Sequence, residues 1–234
     1  MAAAYDVVIV GAGQAGCAAA QDLAAAGLSV LMLDRHADYP HKPCAGGVTE
    51  KAHRRYRFDL TPVLRETVTD LAMSWALKRK TVFAADTPVC YMTHRPELDQ
   101  LCRRQAQWAG AELRIIRQIH GLSVGRDGVT LQVDGHRIQG RWLIGADGAN
   151  STIYRLAFGG HHDAGAFAIE GLLPRSQCND YPPTCFDFAV IPDGYGWLFP
   201  KGDHVNIGLY LRDGRRGGAD RAALAEYARQ RLGS

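Results

Sequence analysis

Tyr5-Asp-Val-Val-Ile-Val10-Gly-Ala-Gly-Gln-Ala-Gly16, an alanine-rich run and Leu28-Ser-Val-Leu-Met-Leu33-Asp34 together describe a strand, a turn, a helix and a second strand. Val7 to Val10 is a short β-branched apolar run, as expected of a strand buried on both faces. Gly11, Gly13 and Gly16 form G-x-G-x-x-G. In this pattern the first glycine permits the tight turn, the second lets a pyrophosphate approach the backbone, and the third lets the helix sit close to the strand. Residues 14 to 26 are mostly alanine, a strong helix former, and Gly27 is a helix stop. Asp34 closes the second strand 23 positions after Gly11, the spacing at which a carboxylate meets adenosine ribose hydroxyls. The turn Gly11, Ala12, Gly13, Gln14, Ala15 and Gly16, with Asp34, is therefore a candidate site for an ADP-containing ligand. NAD and FAD satisfy it equally.

The rest of the composition excludes several classes. A chain of 234 residues can form one large domain or two small ones. Its net charge of +3 is too small to argue for nucleic acid, and His53-Arg54-Arg55 reads as a solvated face. No basic segment precedes the first strand, so no signal peptide is expected. No apolar run has the length of a membrane span. The cysteines (Cys17, Cys44, Cys90, Cys102, Cys178 and Cys185) include no C-x-x-C and no zinc-type Cys/His spacing. Reduced thiols and a cytoplasmic location are expected. His161-His162-Asp163 reads as a solvated loop, and no metal site is expected.

Beyond Asp34 and Arg35, two prolines and two glycines mark a loop through Gly47, and 48–57 is expected to be a short helix. Strands are expected within 67–91, a helix from about Pro96 to Trp108, and a third parallel strand at 111–116. Three short strands follow at 119–124, 129–134 and 136–140, with Asp-Gly turns. A separate strand, 141–144, then returns to the parallel sheet and ends in Gly145-Ala-Asp-Gly-Ala-Asn-Ser151. From Ala166 the chain is β-rich. Asp220 is placed to cap a final helix, 221–231, with Leu224, Tyr227 and Ala228 on one face.

Four stretches give the chain a resemblance to the geranylgeranyl reductase family of FAD-dependent oxidoreductases, within the p-hydroxybenzoate hydroxylase-like flavoprotein fold. They are Gly11–Gly16 with Asp34-Arg35, Lys42-Pro-Cys-Ala-Gly-Gly47, Gly145–Ser151, and Tyr195-Gly-Trp-Leu-Phe-Pro200. The second resembles the family's K-P-C-G-G-G loop and the fourth its Y-x-W-x-F-P motif. These two are the specific ones. The resemblance implies an α/β fold, with a Rossmann-like FAD-binding domain at 1–60 and 93–152 carrying a three-strand β-meander. It is interleaved with a β-rich substrate domain at 61–92 and 153–234. It also implies FAD contacts at Arg35, Lys42, Cys44, Ala45, Gly46, Gly47, Arg95 and Asp147, a catalytic role for Cys44, and a substrate wall of Tyr195, Trp197 and Phe199. The implied activity is reduction of prenyl C=C bonds by reduced flavin, with NAD(P)H or another electron donor and, through a lipid substrate, peripheral membrane contact. The alternatives are a flavin monooxygenase of the wider superfamily and an inactive FAD-binding fragment.

The sequence departs from the family in three places. Gln14 stands where proline is usual, a change expected to be harmless because the turn needs the backbone there. Ala45 replaces the first glycine of its loop. No second FAD motif of the G-D-A-A-G type follows the substrate domain, since Gly217-Gly-Ala-Asp220 does not match it. The chain is accordingly expected to be incomplete at its C-terminus, to bind FAD weakly, and to expose the apolar face of its final helix.

Overall fold

The computed structural model describes residues 4–38, 43–160, 165–212 and 218–233. In chain order the elements are β1 (Ala4–Val10), α1 (Gln14–Ala25), β2 (Val30–Asp34), β3 (Gly47–Thr49), α2 (Glu50–His53), β4 (Leu64–Val68), β5 (Asp70–Trp75), β6 (Arg79–Ala84), β7 (Cys90–Thr93) and α3 (Arg95–Trp108). They continue with β8 (Glu112–Ile115), β9 (Ile119–Gly125), β10 (Gly128–Val133), β11 (His136–Gly145), α4 (Thr152–Phe158), β12 (Ala166–Pro174), β13 (Cys185–Phe188), β14 (Gly194–Pro200), β15 (His204–Arg212) and α5 (Arg221–Leu232). The chain divides into two compact units. One comprises 1–40 with 98–163, the other 41–97 with 164–234.

The first unit is the α/β unit expected from the glycine-rich turn. Its sheet has the order β8-β2-β1-β11-β10-β9. β1 pairs in parallel with both β2 and β11, and β2 with β8. Val8, Val10, Leu31, Leu33, Leu131 and Ile138 are buried together across it. The sequence splits 136–144 into a meander strand and a separate parallel strand, but the structure has one continuous strand. β11 pairs antiparallel with β10 through His136–Gly140 and parallel with β1 through Gln139–Gly145. Gly140 permits the crossing, because a Cβ there would lie 2.7 Å from Val8 Cγ2.

The second unit holds a six-stranded sheet, β12-β15-β14-β13-β5-β6, and a three-stranded one, β3-β7-β4. The helix expected at 48–57 shrinks to Glu50–His53. Residues Gly47–Thr49 pair with Cys90–Met92 of β7 instead, and Arg54-Arg55 beyond the turn offer no apolar face to bury. Thr49 Oγ1 caps the short helix from Ala52 N at 3.3 Å.

The final helix forms where expected, with Asp220 Oδ1 accepting from Ala223 N at 2.8 Å. Its apolar face is not exposed. Leu224, Tyr227 and Ala228 pack with Leu198, Ile207 and Leu209 of the same unit. The reason lies in β14, where a Cβ on Gly196 would stand 2.4 Å from the Tyr227 ring, so glycine clears the seat for that ring. Beneath it Asp187 is fully buried. The Tyr227 hydroxyl donates to its Oδ2 at 2.6 Å, Arg231 Nε approaches the same oxygen at 2.8 Å, and Ser74 and Cys185 reach Oδ1. Burial and the neighbouring carboxylate push the Cys185 thiol up to about 12, so it stays protonated. Large apolar side chains are exposed elsewhere in both units, among them Val124, Trp142 and Phe158 in the first and Trp75, Val82 and Phe83 in the second.

Tyr227→Phe removes one donor from a buried carboxylate without changing the ring. Chemical denaturation should show a loss of about 1.5–3 kcal/mol, the usual value for a hydrogen bond to a charged group. An unchanged unfolding midpoint would mean that Arg231 and Ser74 hold Asp187 unaided.

Candidate functional site

In the first unit the glycine-rich turn is built by close approach. Gly11 has φ +98°, and a Cβ there would fall 2.3 Å from Ala146 O. A Cβ on Gly16 would fall 1.8 Å from Gly11 O, so α1 packs directly on the strand end. At Gly13, by contrast, a Cβ would meet nothing within 4 Å. Gly13 is the N-cap of α1, and no side chain caps that terminus. Open space in front of an uncapped helix N-terminus suits a pyrophosphate, which backbone N–H groups and the helix dipole both favour.

Asp34 secures this turn from beside it. Its Oδ2 accepts from Ala12 N at 2.6 Å and its Oδ1 from His36 N at 2.9 Å. Arg103, which the sequence reading missed, is buried on α3. It donates from NH1 to His36 O and Ala37 O, both at 2.9 Å, and its NH2 lies 3.8 Å from Asp34 Oδ1. Gln14 also does more than its backbone requires. Its amide donates to Asp99 Oδ1, and its Oε1 lies 3.2 Å from Cys102 Sγ, which ties α1 to α3. Ala15 is exposed and Arg35 is exposed on the loop after β2. Asp147 turns inward on its own loop, where its carboxylate accepts from Ser151 Oγ, Thr152 N and Ile153 N at the start of α4.

In the second unit the residues Cys44, Ala45, Phe186, Tyr195, Trp197 and Tyr210 border a cavity of about 480 Å³, to which Gly47 and Phe199 also contribute. Tyr195, Trp197 and Phe199 share one face of β14, as strand alternation requires. They form an apolar cluster with Val68 and Met92. Glycines again make the room. A Cβ on Gly208 would lie 2.0 Å from Trp197, and one on Gly47 would lie 3.1 Å from Phe199. The indole is oriented by its Nε1, which donates to Asn206 Oδ1 at 2.7 Å, and Asn206 Nδ2 in turn donates to Glu170 Oε2 at 3.1 Å. Tyr195 stacks on Tyr210 with centroids 4.9 Å apart. The Cys90 thiol also borders the cavity, and burial pushes it up.

The Cys44–Gly47 loop is pinned through Gly46. Gly46 O accepts from Thr93 Oγ1 at 2.8 Å and from Thr93 N at 2.9 Å, and Gly46 N lies 3.4 Å from Cys44 Sγ. A Cβ on Gly46 would fall 2.6 Å from Lys201 Nζ. Lys201 is a buried amine, 4% exposed. Burial holds it below the usual lysine range and Arg95 adds to that, while Cys44 and Glu170 oppose it. The signal for Lys201 was adjacency alone, since it follows the aromatic motif directly. Lys42 lies outside the described residues, as do His161, His162 and Asp163. His94, Asp203 and His204 gather in one place. That group is invisible in the sequence because more than a hundred positions separate His94 from Asp203 and His204.

A family model described as an FAD binding domain matches residues 4–169. The chain belongs to the FAD-binding domain family. The cofactor that the glycine-rich turn left undecided is thus FAD, and the open, uncapped start of α1 fits its pyrophosphate. The chain is 33% identical to a geranylgeranyl diphosphate reductase of Rhodobacter capsulatus, over 88% of this chain and 54% of the relative. It is 31% identical to digeranylgeranylglycerophospholipid reductase 2 of Methanothermobacter thermautotrophicus, over 94% of this chain and 60% of the relative. Among solved structures, a geranylgeranyl bacteriochlorophyll reductase-like protein of Thermoplasma acidophilum superposes with a TM-score of 0.82 at 22% identity, over 100% of this chain and 63% of that one. The fold is therefore shared, and the family resemblance read from the four motifs is borne out. The FAD-binding chain spans little more than half the length of these curated relatives.

Asp34→Ala should weaken FAD binding by about 1–3 kcal/mol, the cost of leaving polar partners unmatched. Flavin titration monitored by fluorescence checks this. Undiminished affinity would remove Asp34 from the binding site.

Proposed function

We propose that this chain supplies the FAD-binding unit and the substrate-binding unit of an FAD-dependent reductase acting on the C=C bonds of a prenyl chain. The observation that carries the reading is the aromatic cavity of the second unit, with Cys44 and Ala45 on its border. Its lining of Phe186, Tyr195, Trp197, Phe199 and Tyr210 suits an extended hydrocarbon, and the names of the relatives supply the chemical class. The hydroxylase reading rests on fold likeness alone. An aklavinone-11 hydroxylase structure superposes with a TM-score of 0.70 at 20% identity.

In this reading the first unit binds the ADP part of the cofactor through Gly11–Gly16, with Asp34 on the ribose. On the motif resemblance alone, flavin contacts are assigned to Arg35, Lys42, Cys44, Ala45, Gly46, Gly47, Arg95 and Asp147. The chemistry that a bound, reduced flavin would supply is the hydride for one alkene carbon. The chain's own residues do the rest. Trp197, held by Asn206, and the Tyr195–Tyr210 stack fix the hydrocarbon and exclude water. Cys44 holds the proton required by the second carbon at Sγ, or orients a water that carries it. Thr93 holds the loop that presents that thiol through Gly46, against which the Lys201 side chain lies.

Geranylgeraniol titrated into the chain tests the cavity directly. Trp197→Ala should weaken its binding about tenfold or more, equivalent to 1.4 kcal/mol, and leave FAD affinity unchanged. A parallel loss of both ligands with a lowered melting temperature would assign Trp197 to packing alone. Cys44→Ser should retain prenyl binding and slow single-turnover oxidation of the pre-reduced flavin by the prenyl substrate.

A further inference from the structure

We propose that His94, Asp203 and His204 form a binding site for a divalent transition metal of the zinc class, separate from the flavin and prenyl chemistry. One ligand atom from each lies within 4.8 Å of the others. His94 stands between β7 and α3, Asp203 lies in the β14–β15 turn and His204 opens β15, all within the second unit. The two imidazole rings have centroids 4.8 Å apart at a 40° tilt, and His204 Nδ1 lies 2.7 Å from Asp203 Oδ1.

His94 carries the argument furthest. Its Nε2 is buried and has no hydrogen-bond partner among the described residues. A buried polar atom without a partner is costly, and a metal ion satisfies it. The other nitrogen, Nδ1, faces Glu97 Oε1 at 3.9 Å, and Arg65 fixes Glu97 in turn. A carboxylate behind the non-ligating nitrogen is the usual support of a metal-bound histidine. Imidazole and carboxylate together suit zinc, nickel or copper. Ligand atoms in a tetrahedral zinc site are about 3.3 Å apart, given bonds of about 2.0–2.1 Å. The trio therefore closes by a small movement, for which the Asp203 carboxylate, 78% exposed, turns from its 2.7 Å contact with His204 Nδ1. Lys201 and Arg65 are the positive groups facing His94, and Glu97 and Asp203 offset them. Three protein ligands leave one position for water. The bound ion would fasten the start of α3 to the β14–β15 turn.

Co²⁺ titration of the full chain, followed by visible absorption, tests the site. The expected result is one saturable equivalent without a thiolate-to-cobalt charge-transfer band. His94→Gln, His204→Gln and the surface variant Asp203→Asn should each weaken binding at least about tenfold. Zn²⁺ should raise the melting temperature of the parent chain and leave that of His94→Gln unchanged. The double variant His161→Gln/His162→Gln should bind Co²⁺ like the parent. Absence of saturable binding, a thiolate band, or binding that survives His94→Gln but fails in the His161/His162 variant would overturn the proposal.

Discussion

The first unit depends on a contact that only hydrogen permits. Gly16 lies so close to Gly11 O that any side chain would sit inside the carbonyl's van der Waals radius. That approach seats α1 on the end of β1 and brings its N-terminus beside the turn. Asp34 then completes the turn by accepting from Ala12 N, and Arg103 secures the loop that follows. The open space at Gly13 is left over from this construction, and in front of an uncapped helix N-terminus it suits a pyrophosphate.

The second unit uses absent side chains in the same way for apolar chemistry. Gly208 gives way to the Trp197 indole, Gly47 to Phe199, and Gly196 to the Tyr227 ring on the far helix. The strand Gly194–Pro200 thus faces a cavity on one side and seats a helix on the other. A buried carboxylate, Asp187, ties that helix down with Tyr227 and Arg231. Such a carboxylate demands partners, because leaving it uncompensated costs several kcal/mol. It also explains why the final helix packs here instead of presenting an apolar face to solvent.

What the sequence by itself determined is the local grammar: the βαβ start, its glycine spacing, the aromatic alternation at Tyr195, Trp197 and Phe199, the Asp220 cap, and the family those motifs resemble. Each depends on residues close in the chain, where spacing and backbone conformation act directly. The tertiary structure decided whatever depends on remote partners. It joined 136–145 into one strand because β1 and β10 claim its two ends. It cut the helix after Val48 short because β7 takes Gly47–Thr49. It gave the Gln14 side chain two partners on α3, buried Lys201 against Gly46, and gathered His94 with Asp203 and His204. Burial and long-range pairing are properties of the packed chain, and no local pattern of residues encodes which distant neighbour will supply them.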